Sequence, residues 1–263
     1  MPTRRSPYSD KLLAYRDTVL ADGRERGRAG AWHGHFRQQV GPEFDGRVVL
    51  EIGCHDGALL CAAARGHPPA AFVGLDWTPR HLVHAAGRVA GLGLRNVALL
   101  HARAQDVAAM FAPGELDEVW LFHPEPHDLA NMLFAEPLLL ALASCLRAGG
   151  SVCLKTDHPG YFQHALALVG RPEPPDFDLA RRRSGIARIK VGELVDPATL
   201  RPGSRAVMDR FTVALIATDF WADAAVQARV ATRAFATGTS RYEDRFRRKR
   251  LPIHFLELQR TRP

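Results

Sequence analysis

The chain alternates between short, nearly continuous apolar runs and longer stretches with helical spacing. Arg47-Val-Val-Leu-Glu-Ile-Gly53 is apolar almost throughout and runs into a glycine turn, the pattern of a strand buried on both faces. Ala58–Arg65 predicts a helix, Ala70–Asp76 a second strand, Pro79–Ala90 a second helix and Val97–His101 a third strand. Glu118–Phe122 predicts a fourth strand. Leu133–Leu146 predicts a long helix ended by Arg147-Ala-Gly-Gly150, and Ser151–Thr156 a fifth strand. Strands and helices alternating at this spacing imply βαβ units: an α/β fold with a mostly parallel sheet and helices on both faces. In such sheets ligands sit at the carboxyl ends of the strands.

The flanks are less regular. Residues 1–46 form an Arg-rich lead-in with one helix predicted over Ser9–Ala21, capped by Ser9. Beyond Gly170 the alternation weakens at Arg171-Pro-Glu-Pro-Pro-Asp176. A strand is expected over Ile186–Val191, a loop over Pro197–Ser204, a strand over Phe211–Ala217, a helix over Ala222–Phe235 and a closing strand over Pro252–Leu258. The expected organisation is an N-terminal extension (1–46), a ligand-binding core (47–169), an inserted or elaborated substrate-side segment (170–237) and a C-terminal motif with the closing strand (238–263).

Composition narrows the class without naming a function. Forty-six per cent apolar and 24% charged residues are those of an ordinary globular chain, which excludes a disordered or collagen-like one. No apolar run reaches the ~18 residues a membrane span needs, and no leader-like apolar segment follows Met1, so a cytoplasmic protein with no membrane partner is expected. Cys54, Cys61, Cys145 and Cys153 form no C-x-x-C pair, so buried free thiols are expected rather than a zinc site or a disulfide framework. The net charge of +7 is concentrated at the ends. Residues 225–263 hold ten Lys/Arg against three Asp/Glu, and residues 1–37 hold eight against four. Clustered positive charge of this kind suits a phosphate-bearing partner.

The first strand ends Leu50-Glu51-Ile52-Gly53-Cys54-His55-Asp56-Gly57. Glycines at such a turn let a ligand approach the backbone, and a helix N-terminus follows. Asp76 ends the next strand, where a carboxylate can take both hydroxyls of a ribose. This much suits a dinucleotide or S-adenosylmethionine. Glu51 before the first glycine, and Ala58 and Leu59 where a phosphate-binding third glycine would stand, favour the methyl donor, which has no pyrophosphate.

These segments resemble the bacterial tRNA (guanine-N7) methyltransferases, which are class I S-adenosylmethionine-dependent enzymes of Rossmann-like fold. Glu51-Ile-Gly-Cys-His-Asp-Gly57 resembles their first motif, Phe72-Val-Gly-Leu-Asp76 their second strand and Gly93-Leu-Arg-Asn-Val-Ala-Leu-Leu100 their third. Lys155-Thr-Asp-His-Pro-Gly-Tyr161 resembles their Thr-Asp segment, and Ser240-Arg-Tyr-Glu243 followed by Pro252-Ile-His254 their C-terminal motif and closing strand. The resemblance implies a donor site lined by Glu51, Gly53, His55, Gly57, Asp76, Trp77, Arg103, Ala104, Ser240 and Glu243, with S-adenosylhomocysteine as the product. It also implies that Asp157 belongs to the catalytic pocket. Glu125, on a loop stiffened by Pro on both sides, is assigned to hydrogen-bond the acceptor ring and stabilise its developing charge. His123, His127 and Tyr161 are expected to contact the substrate, and no metal is expected because no third ligand stands at a sensible spacing.

The departures bear on the acceptor. The family's Phe-Pro-Asp-Pro-Trp stands here as His123-Pro-Glu-Pro-His127, the central glycine of its first motif as His55, and its adenine-recognising Asp-Ala as Arg103-Ala104. Its basic tRNA-gripping run is replaced by Asp128-Leu-Ala-Asn-Met132. These losses, with the long 170–237 segment, lead the sequence reading to a free guanine-like heterocycle as acceptor. tRNA held by the basic ends is the alternative, and a degenerate, non-catalytic nucleotide-binding module a third reading.

Overall fold

The computed structural model describes residues 7–21, 26–125, 132–174 and 203–261. His127 and the expected strand over 186–191 lie outside them. The helices are α1 (Pro7–Leu12), α2 (Trp32–Val40), α3 (Ala58–Gly66), α4 (Pro79–Gly91), α5 (Val107–Met110), α6 (Glu136–Cys145), α7 (Pro159–Leu168), α8 (Arg205–Met208), α9 (Ala224–Val230) and α10 (Arg241–Arg248). The strands are β1 (Val19–Leu20), β2 (Val48–Ile52), β3 (Ala71–Asp76), β4 (Val97–His101), β5 (Leu116–Phe122), β6 (Leu146–Thr156), β7 (Phe211–Ala217) and β8 (His254–Arg260).

They form one eight-stranded sheet in the order β1-β4-β3-β2-β5-β6-β8-β7. Pairing is parallel from β1 through β6, and antiparallel where β8 joins β6 and β7 joins β8. The expected α/β fold is therefore observed. One face of the sheet packs on Trp32, Phe36, Met110, Leu139, Phe162 and Val207, from α2 and α5 to α8. The other packs on Leu12, Leu60, Leu82, Val226 and Phe246, from α1, α3, α4, α9 and α10. Five consecutive buried residues in β2 (Val48–Ile52) answer to its position at the sheet's centre.

Several elements differ from expectation for identifiable reasons. The helix expected over 9–21 ends at Leu12, passes through a 3-10 turn at Leu13–Tyr15, and gives way to β1. Val19 and Leu20 there cover the open edge of β4, a tertiary gain that overrides local propensity. Residues 26–46 are likewise no loose extension: Trp32 and Phe36 are fully buried. The expected helix over 133–146 starts only at Glu136, with Pro137 in its first turn, and β6 begins at Leu146 through a bulge opposite β5. The expected helix over 222–235 closes at Val230, its start capped by Asp223 accepting from the Val226 N–H at 3.0 Å. The described part of the 170–237 segment extends the sheet edge through β7, and the late motif after Ser240 is a helix, not a loop.

The N-terminal segment is fastened by one carboxylate. Glu115 accepts from the backbone N–H of Gly30 (2.9 Å), Trp32 (3.0 Å) and Ala112 (2.7 Å), while the Trp32 indole donates to the Met110 carbonyl at 2.8 Å. Glu115→Ala orphans three N–H groups beside a buried indole. It is expected to cost about 3 kcal/mol in urea unfolding. A loss under ~0.5 kcal/mol would show that the segment is held by apolar packing alone.

Candidate active site

The turn after β2 is built for close approach. Gly53 takes φ +80° and donates to the Leu75 carbonyl at 2.7 Å, and a Cβ placed on it would meet nothing within 4 Å. The space above it is open, and a left-handed residue with open space is what a backbone cradle requires. Gly57, at φ +68°, is fixed differently: a Cβ there would press on Ala85 at 3.0 Å, so its glycine lets α3 pack against α4. His55 holds φ +50° without being glycine, and its N–H donates to Asp76 Oδ2 at 3.0 Å. The glycine-to-histidine departure in the motif is thus accommodated by a backbone hydrogen bond to the next strand.

Asp76 is the hub of this side. It also accepts from the Thr78 N–H at 2.8 Å and lies 3.2 Å from His81 Nδ1, whose ring sits 4.0 Å from that of His55. Trp77, next in the chain, is 69% exposed. Arg103 is exposed and opens the 3-10 turn Ala104–Asp106, with Ala104 buried beneath. Asp56 binds Arg88 (3.1 Å) and Arg241 (3.0 Å). Burial pushes its carboxyl upward, but Arg241 and Arg88 outweigh that and hold it below the ordinary value.

At the centre three ionisable groups are buried together. Lys155 Nζ and Glu243 Oε1 lie 2.8 Å apart, both fully buried. Four rings surround the ammonium: Phe220 at 4.0 Å, Phe122 at 4.8 Å, Phe235 at 5.1 Å and Trp221 at 5.5 Å. Burial lowers the Lys155 pKa and Glu243 opposes the shift. Glu51 stands beside them on β2. Its pKa is pushed up to about 8, first by burial and then by the carboxylates of Asp56, Asp76 and Glu243. Among the described residues, Glu51 Oε2 and Glu243 Oε2 are both buried without a hydrogen-bond partner. Two such oxygens beside an open glycine cradle fit a cationic ligand group, and S-adenosylmethionine carries an ammonium.

On the acceptor side His123 takes φ +52° just after β5. Its N–H donates to the Lys155 carbonyl at 2.7 Å. Its ring packs near Phe246 and Tyr242, with Nδ1 3.5 Å from Asp157 Oδ1. Glu125, two residues on, is exposed. Ser240 caps α10 by accepting from the Glu243 N–H at 3.1 Å, so it aims the helix rather than meeting the pocket directly. Tyr161 is fully buried, and its hydroxyl accepts from the Phe134 N–H at 2.8 Å, so it anchors the chain after 126–131. Burial, only partly offset by that bond, also pushes its phenol pKa up.

Sequence reasoning missed Lys155 as a site residue, and with it His81, Arg88 and Arg241. A single charge directly after the apolar run Val152–Leu154, within an expected buried strand, was the available signal for Lys155. All four cysteines are buried free thiols, and burial raises their pKa values. Among the described residues no group of three His, Cys, Asp or Glu is placed to hold a metal ion, and no helix is long and apolar enough to cross a membrane.

The fold and this carboxylate-lined turn define a class I S-adenosylmethionine-dependent methyltransferase. A family model described as "Putative methyltransferase" matches residues 45–178. A protein of Geobacillus thermodenitrificans named tRNA (guanine-N(7)-)-methyltransferase is 31% identical over 177 residues, 65% of this chain and 78% of the relative. Its namesake in Geobacillus kaustophilus is 32% identical over 178 residues, covering 65% and 77%. The chain belongs to this methyltransferase family, that of the tRNA (guanine-N7) methyltransferases. Among solved structures, the 16S rRNA methyltransferase KamB matches with a TM-score of 0.52 at 21% identity, over 86% of this chain and 92% of that one. The antibiotic-resistance methyltransferase Kmr gives 0.51 at 18%, over 86% and 93%. At that identity they share the fold. The reading of a non-catalytic module is overturned by family and fold together: the chain is an enzyme.

Glu51 links the site to stability. Its folded pKa of about 8 lies above the ordinary 4.5, so between those values the folded chain binds more protons than the unfolded one. Stability therefore falls as pH rises through that window, and the stabilising contribution is fully present only below it. Glu51→Gln removes the titration. Its melting temperature should match the wild type near pH 5 and exceed it increasingly towards pH 8.5; a constant difference would disprove the burial of an ionisable Glu51.

Proposed function

We propose that this enzyme transfers the methyl group of S-adenosylmethionine to a guanine N7 in RNA, with tRNA as the substrate. The observation that carries the donor side is the pair of partnerless buried oxygens, Glu51 Oε2 and Glu243 Oε2, beside the open Gly53 cradle. The RNA side is supported by the names of the relatives and by the basic C-terminal helix. A free heterocycle as acceptor, the leading reading of the sequence, rested on residues 128–132 and on the 170–237 segment. Of these, 128–131 and 175–202 lie outside the described residues, and the relatives favour the tRNA alternative.

S-adenosylmethionine, when bound, supplies a methyl group on a positively charged sulfur. Glu51 and Glu243 would hold its ammonium. Asp76 would take the ribose hydroxyls with the lone pairs left over from the His55 and Thr78 N–H groups. Trp77 offers an exposed ring face for the adenine, and Arg103 with Ala104 forms the neighbouring wall. Guanine N7 already carries a lone pair, so no base is needed. The enzyme's part is to hold the reacting atoms about 3 Å apart in line and away from water. Glu125, with Asp157, would accept the ring N–H groups and stabilise the positive charge that develops on the base. His123, held by the Lys155 carbonyl and packed near Tyr242 and Phe246, sets the direction in which that loop starts, and His127 is assigned to the base from the sequence motif alone.

The central charges give this reading a pH signature. With Glu51 protonated, Glu243 and Lys155 balance, and a bound cation displaces the Glu51 proton. Affinity for S-adenosylhomocysteine, which keeps the ammonium, should therefore rise with pH up to about 8, by at most tenfold per unit. Glu51→Gln should flatten the profile. A flat wild-type profile would remove Glu51 from the ammonium site.

The acceptor is tested by labelling an unmodified tRNA transcript with tritiated donor. Incorporation is expected, falling steeply with salt as phosphate contacts release counterions. Glu125→Gln should lower kcat about 10²- to 10³-fold with donor affinity unchanged. Label entering free guanosine but not tRNA would restore the small-heterocycle reading.

A further inference from the structure

We propose that the outward face of α10 is the surface on which the RNA backbone docks, an inference that rests on the RNA reading above. At about 100° per residue, Glu243 and Phe246 fall on one side of this helix, and both are buried in the molecule. Arg241, Arg245 and Arg248 fall on the opposite side with the single acid Asp244 beside them, and all are exposed. Arg247 lies towards the edge of that side, its guanidinium 4.0 Å over the Trp221 ring, and the exposed Lys249 and Arg250 follow the helix end. The helix dipole favours cations in the last turn, which accounts for some of this charge. It does not account for Arg241 in the first turn, held there by Asp56, nor for cations continuing through Lys249 and Arg250 beyond the helix end.

Position supplies the second argument. Glu243 reaches the carboxyl end of β6 through Lys155, and Arg241 reaches the turn after β2 through Asp56. Phe246 and Tyr242 pack near His123. The helix therefore stands over the carboxyl ends of β2, β5 and β6, beside the acceptor loop. Tyr242, 43% exposed and edge-on to His55, adds an aromatic among the cations. Cations tracking a backbone with an aromatic between them are the usual makings of a single-stranded nucleic-acid surface. The family's gripping run is missing from the sequence after His127, and α10 supplies cations in the neighbourhood of His123.

The test is the triple variant Arg245→Gln/Arg248→Gln/Lys249→Gln against the wild type, with an unmodified tRNA transcript as probe. Expected are at least a tenfold loss of tRNA affinity near physiological salt and a slope of log K on log salt shallower by about 2 to 3. Affinity for S-adenosylhomocysteine and melting temperature should be unchanged. Arg47→Gln/Arg65→Gln/Arg95→Gln, exposed charges near the amino ends of the strands, removes the same net charge as a control and should leave the slope nearly unaltered. A wild type that methylates tRNA beside a triple variant with the same salt slope overturns the docking surface alone. A wild type that neither binds nor labels tRNA overturns the RNA reading and this surface with it. A triple variant that loses donor binding or stability makes the cations structural and also overturns the proposal.

Discussion

The Lys155–Glu243 pair is the interaction on which the remainder of the site depends. Two full charges 2.8 Å apart with no exposure are not an economical way to stabilise a fold, because desolvation offsets most of the attraction. Removing either partner alone is another matter, since an uncompensated buried charge costs about 3–5 kcal/mol. The pair therefore acts as a constraint: α10 must dock where Glu243 meets the end of β6. The rings of Phe122, Phe220, Trp221 and Phe235 come from three separate parts of the chain and close around the same ammonium. One lysine thereby joins β5, β6, the segment after β7 and the C-terminal helix into a single wall.

With Glu243 balanced by Lys155 and Glu51 protonated, a cation entering beside that wall would leave one proton too many, and Glu51 is the group placed to release it. Burial and three neighbouring carboxylates oppose the charge of Glu51. The same environment that makes Glu51 a poor anion alone makes it a strong partner for a positive ligand, since little solvent has to be displaced from it. Stability is given up at the place where binding needs a destabilised group, as is usual for functional positions. Asp56 shows the opposite arrangement one turn away, where Arg88 and Arg241 keep the carboxyl ionised and the loop fixed.

The sheet was legible because most of its strands are apolar runs of the right length, with β2 running into Gly53 and β3 ending in Asp76. Val97–His101 and Phe211–Ala217 were placed to the residue from the apolar run alone. The donor turn was legible through Glu51, Gly53 and Asp76, where the chemistry demands a residue type at a fixed spacing. What the sequence hid was decided by partners far away in the chain. Val19 and Leu20 make a strand only because β4 has an open edge. Lys155 reads as an interruption until Glu243, eighty-eight residues on, is brought beside it. Tyr161 belongs to a motif but spends its hydroxyl on a backbone amide, and no local signal separates that role from a substrate contact.

The departures from the family pattern become coherent through α10. A glycine replaced by His55 would be a defect in a turn judged alone. Here its N–H binds Asp76, its ring packs on His81, and Tyr242 of α10 meets it edge-on. His123 likewise takes a left-handed backbone held by the Lys155 carbonyl, with Phe246 and Tyr242 of the same helix near its ring. Both substituted positions thus lean on one eight-residue helix whose inner side is fixed by Lys155. The contacts that reach the two motif loops come from Arg241, Tyr242, Glu243 and Phe246, so the inner side of α10 joins the turn after β2 to the loop after β5 while its other outer cations stand apart from both.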